Sequence, residues 1–451
     1  MKVRFAVPPQ PIPFRDALKV WVRVALQSFG GPAGQISVMH RILVDEKRWI
    51  DEPRFLHALN YCMLLPGPEA QQLATYIGWL LHGTAGGLAA GLLFVLPGFV
   101  AILGLSLLYV GFHGTPLVAA LLWGLKPAVI AIVLEAVLRI GRRALGTPYR
   151  ATLAVASFLA IFFFAVPFPA IVLVAASLGW LGGRFASRPE SAADPNEGAG
   201  EPGERSASTG ARGPGVMRSL RIAVIGLALW FVALGLLALH FGRDHVLVQM
   251  GLFFSRAAIV TFGGAYAVLA YVGQQAVETF GWLRPGEMLD GLGMAETTPG
   301  PLIMVLQFVG FLGAYRHPGG LAPFAAGLLG ALITVWVTFV PCFLWIFLGA
   351  PYVEILRRQR GLSNALAAIT AAVVGVIANL ALWFSLHALF GRLDAIRYGA
   401  LRLLLPAWET LDSAALVLAI FASVALLRWK IGMEKVLLAT TALGMVWVLA
   451  R

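Results

Sequence analysis

Four short motifs rich in glycine and proline interrupt apolar stretches of this sequence and could bind an anion. Two are Gly-Gly pairs, Gly30-Gly31 and Gly263-Gly264, and two are triplets, Pro66-Gly67-Pro68 and Pro299-Gly300-Pro301. Proline suits the first position of a helix because it lacks the N–H group that would have no partner there. A helix that starts after such a motif presents free N–H groups and the positive end of its dipole. These motifs are therefore the predicted core of an anion-binding site; the alternative is that they only allow tight packing or kinks.

Several polar and basic side chains beside the motifs could contribute hydrogen bonds or charge to such a site. The candidates are Arg23, Ser28, Gln71, Lys126, Arg256 and Thr261, with Gln72 and Gln307 in similar positions. A charge in a membrane segment is costly and usually functional, and a guanidinium group matches two oxygens of an oxyanion at once. Each candidate has an alternative interpretation: the hydroxyls can bond back to their own helices, the arginines can extend to the membrane interface, and Lys126 can mark a helix start there.

Two carboxyl groups flank the Pro-Gly-Pro motifs, Glu69 after the first and Glu296 before the second. A carboxylate near an anion repels it unless the carboxyl group is protonated. Glu69 and Glu296 are therefore candidate groups for coupling to protons. The alternative for Glu69 is that it complements the dipole of the helix that it starts.

The sequence carries no motif typical of catalysis or of a metal site. It lacks the H-E-x-x-H and G-x-S-x-G patterns, which mark zinc proteases and serine hydrolases. Its two cysteines, Cys62 and Cys342, are far apart and apolar in context, so neither a metal site nor a disulfide is expected. We predict no enzyme activity, no catalytic residue, no metal and no cofactor.

The composition indicates a polytopic membrane protein. Of its 451 residues 59% are hydrophobic and only 12% are charged, whereas soluble domains carry about 25% charge. Apolar runs near residues 85–110, 220–240, 322–349 and 365–385 approach or exceed the ~20 residues that span a bilayer. The net charge of +12 reflects orientation in the membrane rather than binding of nucleic acid.

The chain is a tandem duplication. Phe29-Gly30-Gly31 recurs as Phe262-Gly263-Gly264, and the same displacement along the chain relates Arg23 to Arg256 and one Pro-Gly-Pro to the other. We call this constant displacement the repeat offset. Between the repeats lies a polar segment rich in glycine, proline and serine, which is expected to be disordered and cytoplasmic. The predicted units are a first repeat at 1–183, this linker at 184–219, a connecting transmembrane helix at 220–243 and a second repeat at 244–451.

The basic residues predict that the two repeats have opposite orientations. Loop 41–54 holds four Lys or Arg residues, whereas its counterpart at 274–287 holds only Arg284. Basic residues remain on the cytoplasmic side, so the two loops face opposite sides, and the helix at 220–240 is the extra crossing that this requires. The fold class is then an all-α polytopic membrane protein of two inverted repeats, each with about six membrane segments, plus a connecting helix.

The same charges predict re-entrant hairpins. Arms of roughly 11–15 residues at ~1.5 Å per residue are too short to cross a core of ~30 Å. Residues 17–44 and 55–82 should therefore enter and leave on one side and turn at the Gly-Gly and Pro-Gly-Pro motifs; the alternative is broken helices that do span. Inverted repeats with broken helices around a central site are typical of secondary transporters.

The motifs SFGGPAGQI, LPGPEAQQLA, GLKPAV, TFGGAYAVL, ETTPGPL and ITAAVVGVIANLALW resemble the chromate ion transporter family in its long, two-domain form. The resemblance extends over nearly the whole chain apart from the linker and the proline-rich start. It implies a protein of the bacterial inner membrane with thirteen segments. It also implies export of chromate driven by the proton-motive force, and hence chromate resistance, with sulfate as the structural analogue of the substrate.

Beyond chromate and the lipid bilayer, the sequence identifies no partner and leaves the oligomeric state open, a homo-oligomer included. The competing interpretation is a carrier of sulfate or another oxyanion, because tetrahedral dianions of similar size would use the same N–H groups.

The opposite orientations can be tested by labelling cysteines introduced at Ala193→Cys in the linker and Gln274→Cys in loop 274–287. An impermeant maleimide added to intact cells should modify only Gln274→Cys, because only that loop is predicted outside. Permeabilised cells serve as the control and should allow both to react. Equal labelling of both positions in intact cells would contradict the inverted arrangement.

Overall fold

The computed structural model describes residues 12–185, 216–350, 359–399 and 401–450, and its regular structure is almost entirely helical. Most of the predicted linker lies outside these residues. Five helices in the described ranges are long and apolar enough to cross a membrane, namely Glu69–Phe112, Pro116–Ala144, Met217–Phe241, Pro323–Gly349 and Gly361–Leu389. They contain the apolar runs identified in the sequence, so the prediction of a polytopic helical membrane protein is confirmed.

The first half begins with short helices and continues with long ones. Its helices are α1 (Phe14–Gln27), α2 (Gly31–His40), α3 (Glu52–Cys62), α4 (Glu69–Phe112), α5 (Pro116–Ala144), α6 (Pro148–Phe164) and α7 (Phe168–Phe185). The Gly-Gly motif separates α1 from α2, and the Pro-Gly-Pro motif separates α3 from α4. Both motifs therefore interrupt helices, as the sequence predicts.

The second half follows a connecting helix, α8 (Val216–Phe241), whose described side chains are mostly exposed and apolar. Its helices are α9 (Val246–Val260), α10 (Ala265–Gln274), α11 (Glu287–Thr297), α12 (Val305–Arg316), α13 (Pro323–Gly349), α14 (Arg360–Leu389), α15 (Ser413–Leu427) and α16 (Met433–Leu449). A 3-10 turn at Leu302–Met304 leads into α12.

The helices of the second half repeat those of the first in order and spacing. A π-helical turn follows α2 at Arg41–Glu46 and follows α10 at Gln275–Thr279. Helix α4 loses helical geometry at His82 and Gly83. At the equivalent point of the second half, one helix, α12, ends and the next, α13, begins. The second half is longer at this point, so a larger displacement, which we call the long-helix offset, relates Pro97 of α4 to Pro341 of α13.

One short β-hairpin accompanies the helices in the described residues. Strands β1 (Leu393–Tyr398) and β2 (Leu401–Pro406) pair antiparallel, with Arg397 opposite Arg402. Arg402 donates two hydrogen bonds of 2.6 and 2.9 Å to Glu278, which hold the hairpin against the π-helical turn after α10. These bonds raise the pKa of Arg402. The hairpin was not predicted from the sequence, because its strands of six residues each are far shorter than a membrane segment.

One long helix of each half packs against helices of the other half. Helix α5 packs against α15 and α16 of the second half, while α14 packs against α6 and α7 of the first, and α5 and α14 contact each other. Small residues allow the close approach: a β-carbon at Gly444 would lie 2.5 Å from the α-carbon of Gly124, and one at Gly179 would lie 2.6 Å from the β-carbon of Ala368. Gly124 and Ala368 are related by the long-helix offset, and their partners Gly444 and Gly179 lie on the last helix of each half, α16 and α7.

The crossing of α5 and α16 can be tested with Gly444→Leu. The larger side chain would push the helices apart, and overpacking of this kind typically costs about 1–3 kcal/mol. We expect a lower melting temperature for the purified protein in detergent. Gly104→Leu on α4 is the matched control, because no atom lies within 4 Å of its β-carbon position. Equal melting temperatures for the two variants would contradict the proposed contact.

Candidate functional site

Each Pro-Gly-Pro triplet contains a single backbone N–H group, that of its glycine, because proline has none. Gly67 has a φ of +127° and Gly300 a φ of +104°, and glycine adopts such angles without steric cost. The flanking prolines therefore leave one donor in each triplet, and the glycine conformation decides where it points.

The two triplet donors bind the opposite half of the chain. The N–H group of Gly67 donates to the carbonyl of Thr261 at 2.8 Å, and that of Gly300 donates to the carbonyl of Ser28 at 2.9 Å. The repeat offset relates the two donors to each other and the two acceptors to each other. Each Pro-Gly-Pro break is thus fastened to the Gly-Gly break of the other half.

The triplets also pack against the proline-containing part of a long helix in the opposite half. A β-carbon at Gly300 would lie 2.9 Å from the α-carbon of Gly98 on α4, and one at Gly67 would lie 2.8 Å from the Sγ of Cys342 on α13. Gly98 and Cys342 each follow a proline and are related by the long-helix offset. These contacts bring α4 and α13 to the breaks.

The helices that start at the breaks are not capped by side chains. Neither α2, α4 nor α10 has a side-chain hydrogen bond at its N-cap, and the same is true of the turn at Leu302–Met304. The first-turn N–H groups of a helix have no partner within the helix. At these four starts they remain available to a ligand, together with the positive ends of the dipoles.

A carboxyl group faces one of these starts. Glu296, at 2% exposure, accepts a hydrogen bond of 2.6 Å from the hydroxyl of Tyr266 through Oε1. Its other oxygen, Oε2, has no hydrogen-bond partner and lies 3.8 Å from the β-carbon position of Gly31 at the start of α2. Tyr266 belongs to α10, so this contact joins the breaks of both halves.

Buried glutamines tie the breaks to neighbouring backbone. The amide nitrogen of Gln35 donates to the carbonyl of Gly300 at 2.6 Å, that of Gln72 to Pro66 at 2.7 Å, and that of Gln307 to Phe99 at 2.9 Å. The amide nitrogen of Gln71 donates to the hydroxyl of Thr75 at 3.0 Å. Sequence reasoning included Gln71, Gln72 and Gln307 but missed Gln35, whose partner is 265 positions away.

The two hydroxyls beside the Gly-Gly motifs bond to their own helices. Ser28 donates to the carbonyl of Val24 at 2.7 Å, and Thr261 donates to that of Ala257 at 2.6 Å. Each hydroxyl thus donates its one proton to the helix that it follows, which is the alternative stated for these residues from the sequence. Their backbone carbonyls contact the Pro-Gly-Pro motifs instead.

The arginines predicted to supply charge lie on exposed faces of their helices. Arg23 donates to the carboxylate of Glu46 at 2.8 Å, and its side chain is 44% exposed. Arg256 is exposed on α9. An amphipathic helix has one buried and one exposed face, and both arginines lie on the exposed face, which is compatible with the alternative stated for them from the sequence.

Lys126 is also placed differently from the prediction. It lies within α5, not at a helix start, and its Nζ is 3.4 Å from Asp290. Asp290 accepts a hydrogen bond from Tyr109, while Arg316 donates to both oxygens of Glu287 at 2.6 and 2.7 Å. Glu287 and Asp290 occupy the first turn of α11, whereas Glu296 lies near its end. Lys126 is therefore ion-paired at the other end of α11.

The structure thus brings together the glycines and prolines of the four motifs and Glu296. Glu69 lies half-buried at the first position of α4, directly after Pro68. Glu135 and Arg139 of α5 form an i,i+4 ion pair at 3.6 Å. Tyr266 was missed because a tyrosine in an apolar helix carries no signal of a partner 30 residues away. The cluster of Tyr109, Glu287 and Arg316 escaped prediction for the same reason.

Comparison with known proteins shows a consistent similarity. The family model described as "Chromate transporter" matches residues 15–180 and 248–447, which lie in the two halves. Chromate transport proteins of Pseudomonas aeruginosa and Cupriavidus metallidurans are 32% and 26% identical to this chain, covering 82% and 80% of it and 81% and 80% of their own lengths. A probable chromate transport protein of Synechococcus elongatus is 27% identical, covering 81% of this chain and 83% of its own. No solved structure shows a significant match.

The crossing of the second Pro-Gly-Pro motif over α4 can be tested with Gly300→Ala. The added β-carbon would collide with Gly98, in addition to the strain of a positive φ. Gly320→Ala is the matched control, because Gly320 has a φ of +93° but no atom within 4 Å of its β-carbon position. Both variants carry the backbone strain of about 1–2 kcal/mol, so only Gly300→Ala should lose further stability. Equal melting temperatures would contradict the crossing.

Proposed function

Because this chain belongs to the chromate transporter family, we propose that it is a secondary active transporter that exports chromate across the bacterial inner membrane. Export would be driven by the proton-motive force and would confer resistance to chromate. The relatives from Pseudomonas aeruginosa and Cupriavidus metallidurans are named chromate transport proteins, and this supports chromate as the substrate.

The observation that carries the proposal is the joining of four uncapped helix starts by reciprocal hydrogen bonds. Non-helical backbone within a membrane persists only where protein or a watery cavity satisfies it. Here the donors of Gly67 and Gly300 are satisfied across the two halves, while the first-turn N–H groups after the breaks have no side-chain cap. A tetrahedral oxyanion has four oxygens that can accept hydrogen bonds from such groups.

We further propose that the halves are inverted repeats related by a pseudo-two-fold axis. The reciprocal contacts support this. Where a two-fold axis exchanges the halves, a contact between one residue of the first half and one of the second implies a second contact between their counterparts in the opposite halves. The difference in basic residues between loops 41–54 and 274–287 supports opposite orientations. Helix α8 would be the extra crossing, and the linker at 184–219 would be cytoplasmic.

In this proposal the binding residues are the glycines and prolines of the four motifs, and Glu69 and Glu296 are the candidates for proton coupling. Glu296 is favoured, because it is buried and faces the start of α2. Arg23 and Arg256 would act from the exposed side, attracting the anion without binding it directly. The alternative function, transport of sulfate or another oxyanion, would use the same N–H groups.

The proposed function can be tested by measuring radiolabelled chromate and sulfate flux in inverted membrane vesicles. Energised vesicles that contain the protein should accumulate chromate, and a protonophore should abolish the accumulation. Gly31→Leu should lower the flux by at least about tenfold, because the side chain would fill the space between the start of α2 and Glu296. Gly320→Leu, at an open glycine that also has positive φ, controls for backbone strain.

Accumulation of sulfate but not of chromate would support the alternative carrier. Vesicles that accumulate neither anion would contradict the proposed function.

A further inference from the structure

The buried side-chain atoms near the breaks that lack a hydrogen-bond partner are all oxygens, within the part of the chain that the structure describes. They are Oε1 of Gln71, Oε1 of Gln72, Oε2 of Glu296 and Oε1 of Gln307. A buried oxygen without a donor is destabilising, because it has lost the hydrogen bonds that water would make to it. A site that binds only a fully deprotonated oxyanion has no use for such atoms, because the anion also offers only acceptors.

The hydrogen-bond partners of Gln72 and Gln307 establish that the atom without a partner in each amide group is its oxygen. The nitrogens of Gln72 and Gln307 donate to backbone carbonyls, and a carbonyl can only accept. Reversing either amide would place two oxygens against each other. The oxygen without a donor on each of these two glutamines therefore follows from how the side chain packs, and reversing the amide group would not remove it.

Glu296 is the acceptor that faces a helix start. Tyr266 donates to Oε1, and Oε2 lies beside Gly31 without a partner. The other charged groups that act on this carboxyl group are Arg139 and Glu135 of α5, which pair with each other at 3.6 Å. No Lys or Arg side chain among the described residues forms an ion pair with Glu296 at 4 Å or less.

We propose that the site binds its oxyanion together with one proton, which is shared between the oxyanion and Oε2 of Glu296. This inference rests on the proposed function and deepens it by naming the substrate class. The substrates are oxyanions that hold a proton near neutral pH, as hydrogen chromate does. Sulfate is disfavoured because it is too weak a base to share the proton on equal terms with a carboxylate.

The charges support a shared proton. An ionised Glu296 together with a dianion would place three negative charges in a buried site, and like charges at close range disfavour ionisation. One bound proton reduces this total to two negative charges. Each helix start contributes about half a positive charge, so the four starts supply about two. The proton also provides the O–H donor that the unpartnered Oε2 lacks.

Within the described residues, the pair of Glu296 and Tyr266 has no counterpart in the first half. By the repeat offset, Glu296 corresponds to Met63 and Tyr266 to Ala33, neither of which can hold a proton. The helix starts at the repeated motifs therefore present N–H groups in both halves, while the carboxyl group that faces the start of α2 comes from the second half. This predicts one proton per oxyanion rather than two.

The proposal can be tested by calorimetric titration of the purified full-length protein with sodium chromate. At pH values high enough that free chromate and the unliganded protein have both released this proton, binding should take up about one proton and weaken about tenfold per pH unit. Proton uptake is obtained from titrations in buffers with different ionisation enthalpies. Sodium sulfate should compete weakly at every pH.

Glu296→Gln should remove most of the proton uptake and flatten the pH dependence. Because the amide can donate to a deprotonated oxyanion, this variant should also bind sulfate more tightly relative to chromate, by at least about fivefold. Tyr266→Phe retains the carboxyl group and should retain proton uptake, which keeps the test independent of general damage to the site. Asp16→Asn, at an exposed pair with Lys19, should behave like the wild type.

Chromate binding without proton uptake in the wild type would overturn the proposal while leaving the proposed function intact. Unchanged proton uptake in Glu296→Gln would also overturn it. A wild-type protein that binds no chromate at any pH would overturn both the inference and the proposed function.

Discussion

The structure depends on how backbone that leaves the helix is satisfied inside an apolar protein. Four breaks inside an apolar protein would expose N–H and carbonyl groups at several kcal/mol each if nothing bound them. The triplets reduce this cost by having only one donor, and that donor binds the carbonyl of the opposite half, Gly67 to Thr261 and Gly300 to Ser28. Neither half could satisfy its own breaks in this way, so the duplicated halves need each other.

The same exchange governs the long helices. Helices α5 and α14 each pack against the last two helices of the other half. Such crossings require that backbones approach closely, and the small residues Gly124, Gly179, Ala368 and Gly444 make this possible. Because hydrophobic burial alone does not drive association between helices in lipid, close packing and hydrogen bonds must hold the halves together.

Charge is arranged around the two ends of α11. At its first turn, Glu287 and Asp290 are balanced by Arg316 and Lys126, so that this cluster is neutral overall. At its last turn, Glu296 has only the hydroxyl of Tyr266 as a partner. An unbalanced buried carboxyl group is costly and typically marks function in membrane proteins. The contrast within one short helix distinguishes the structural acidic residues from the one that faces the breaks.

The sequence alone determined the class of the molecule and the position of its breaks. Apolar runs, the repeat offset and the four motifs are local or periodic properties, because proline and glycine act on the backbone where they stand. Only the tertiary structure decided which groups meet there. It turned the hydroxyls of Ser28 and Thr261 back to their helices, left Arg23 on an outer face with Glu46, and placed Tyr266 against Glu296. It also formed the hairpin at 393–406 against Glu278. Such partners are distant in sequence, and their contacts depend on the packing of all the helices, which no local pattern records.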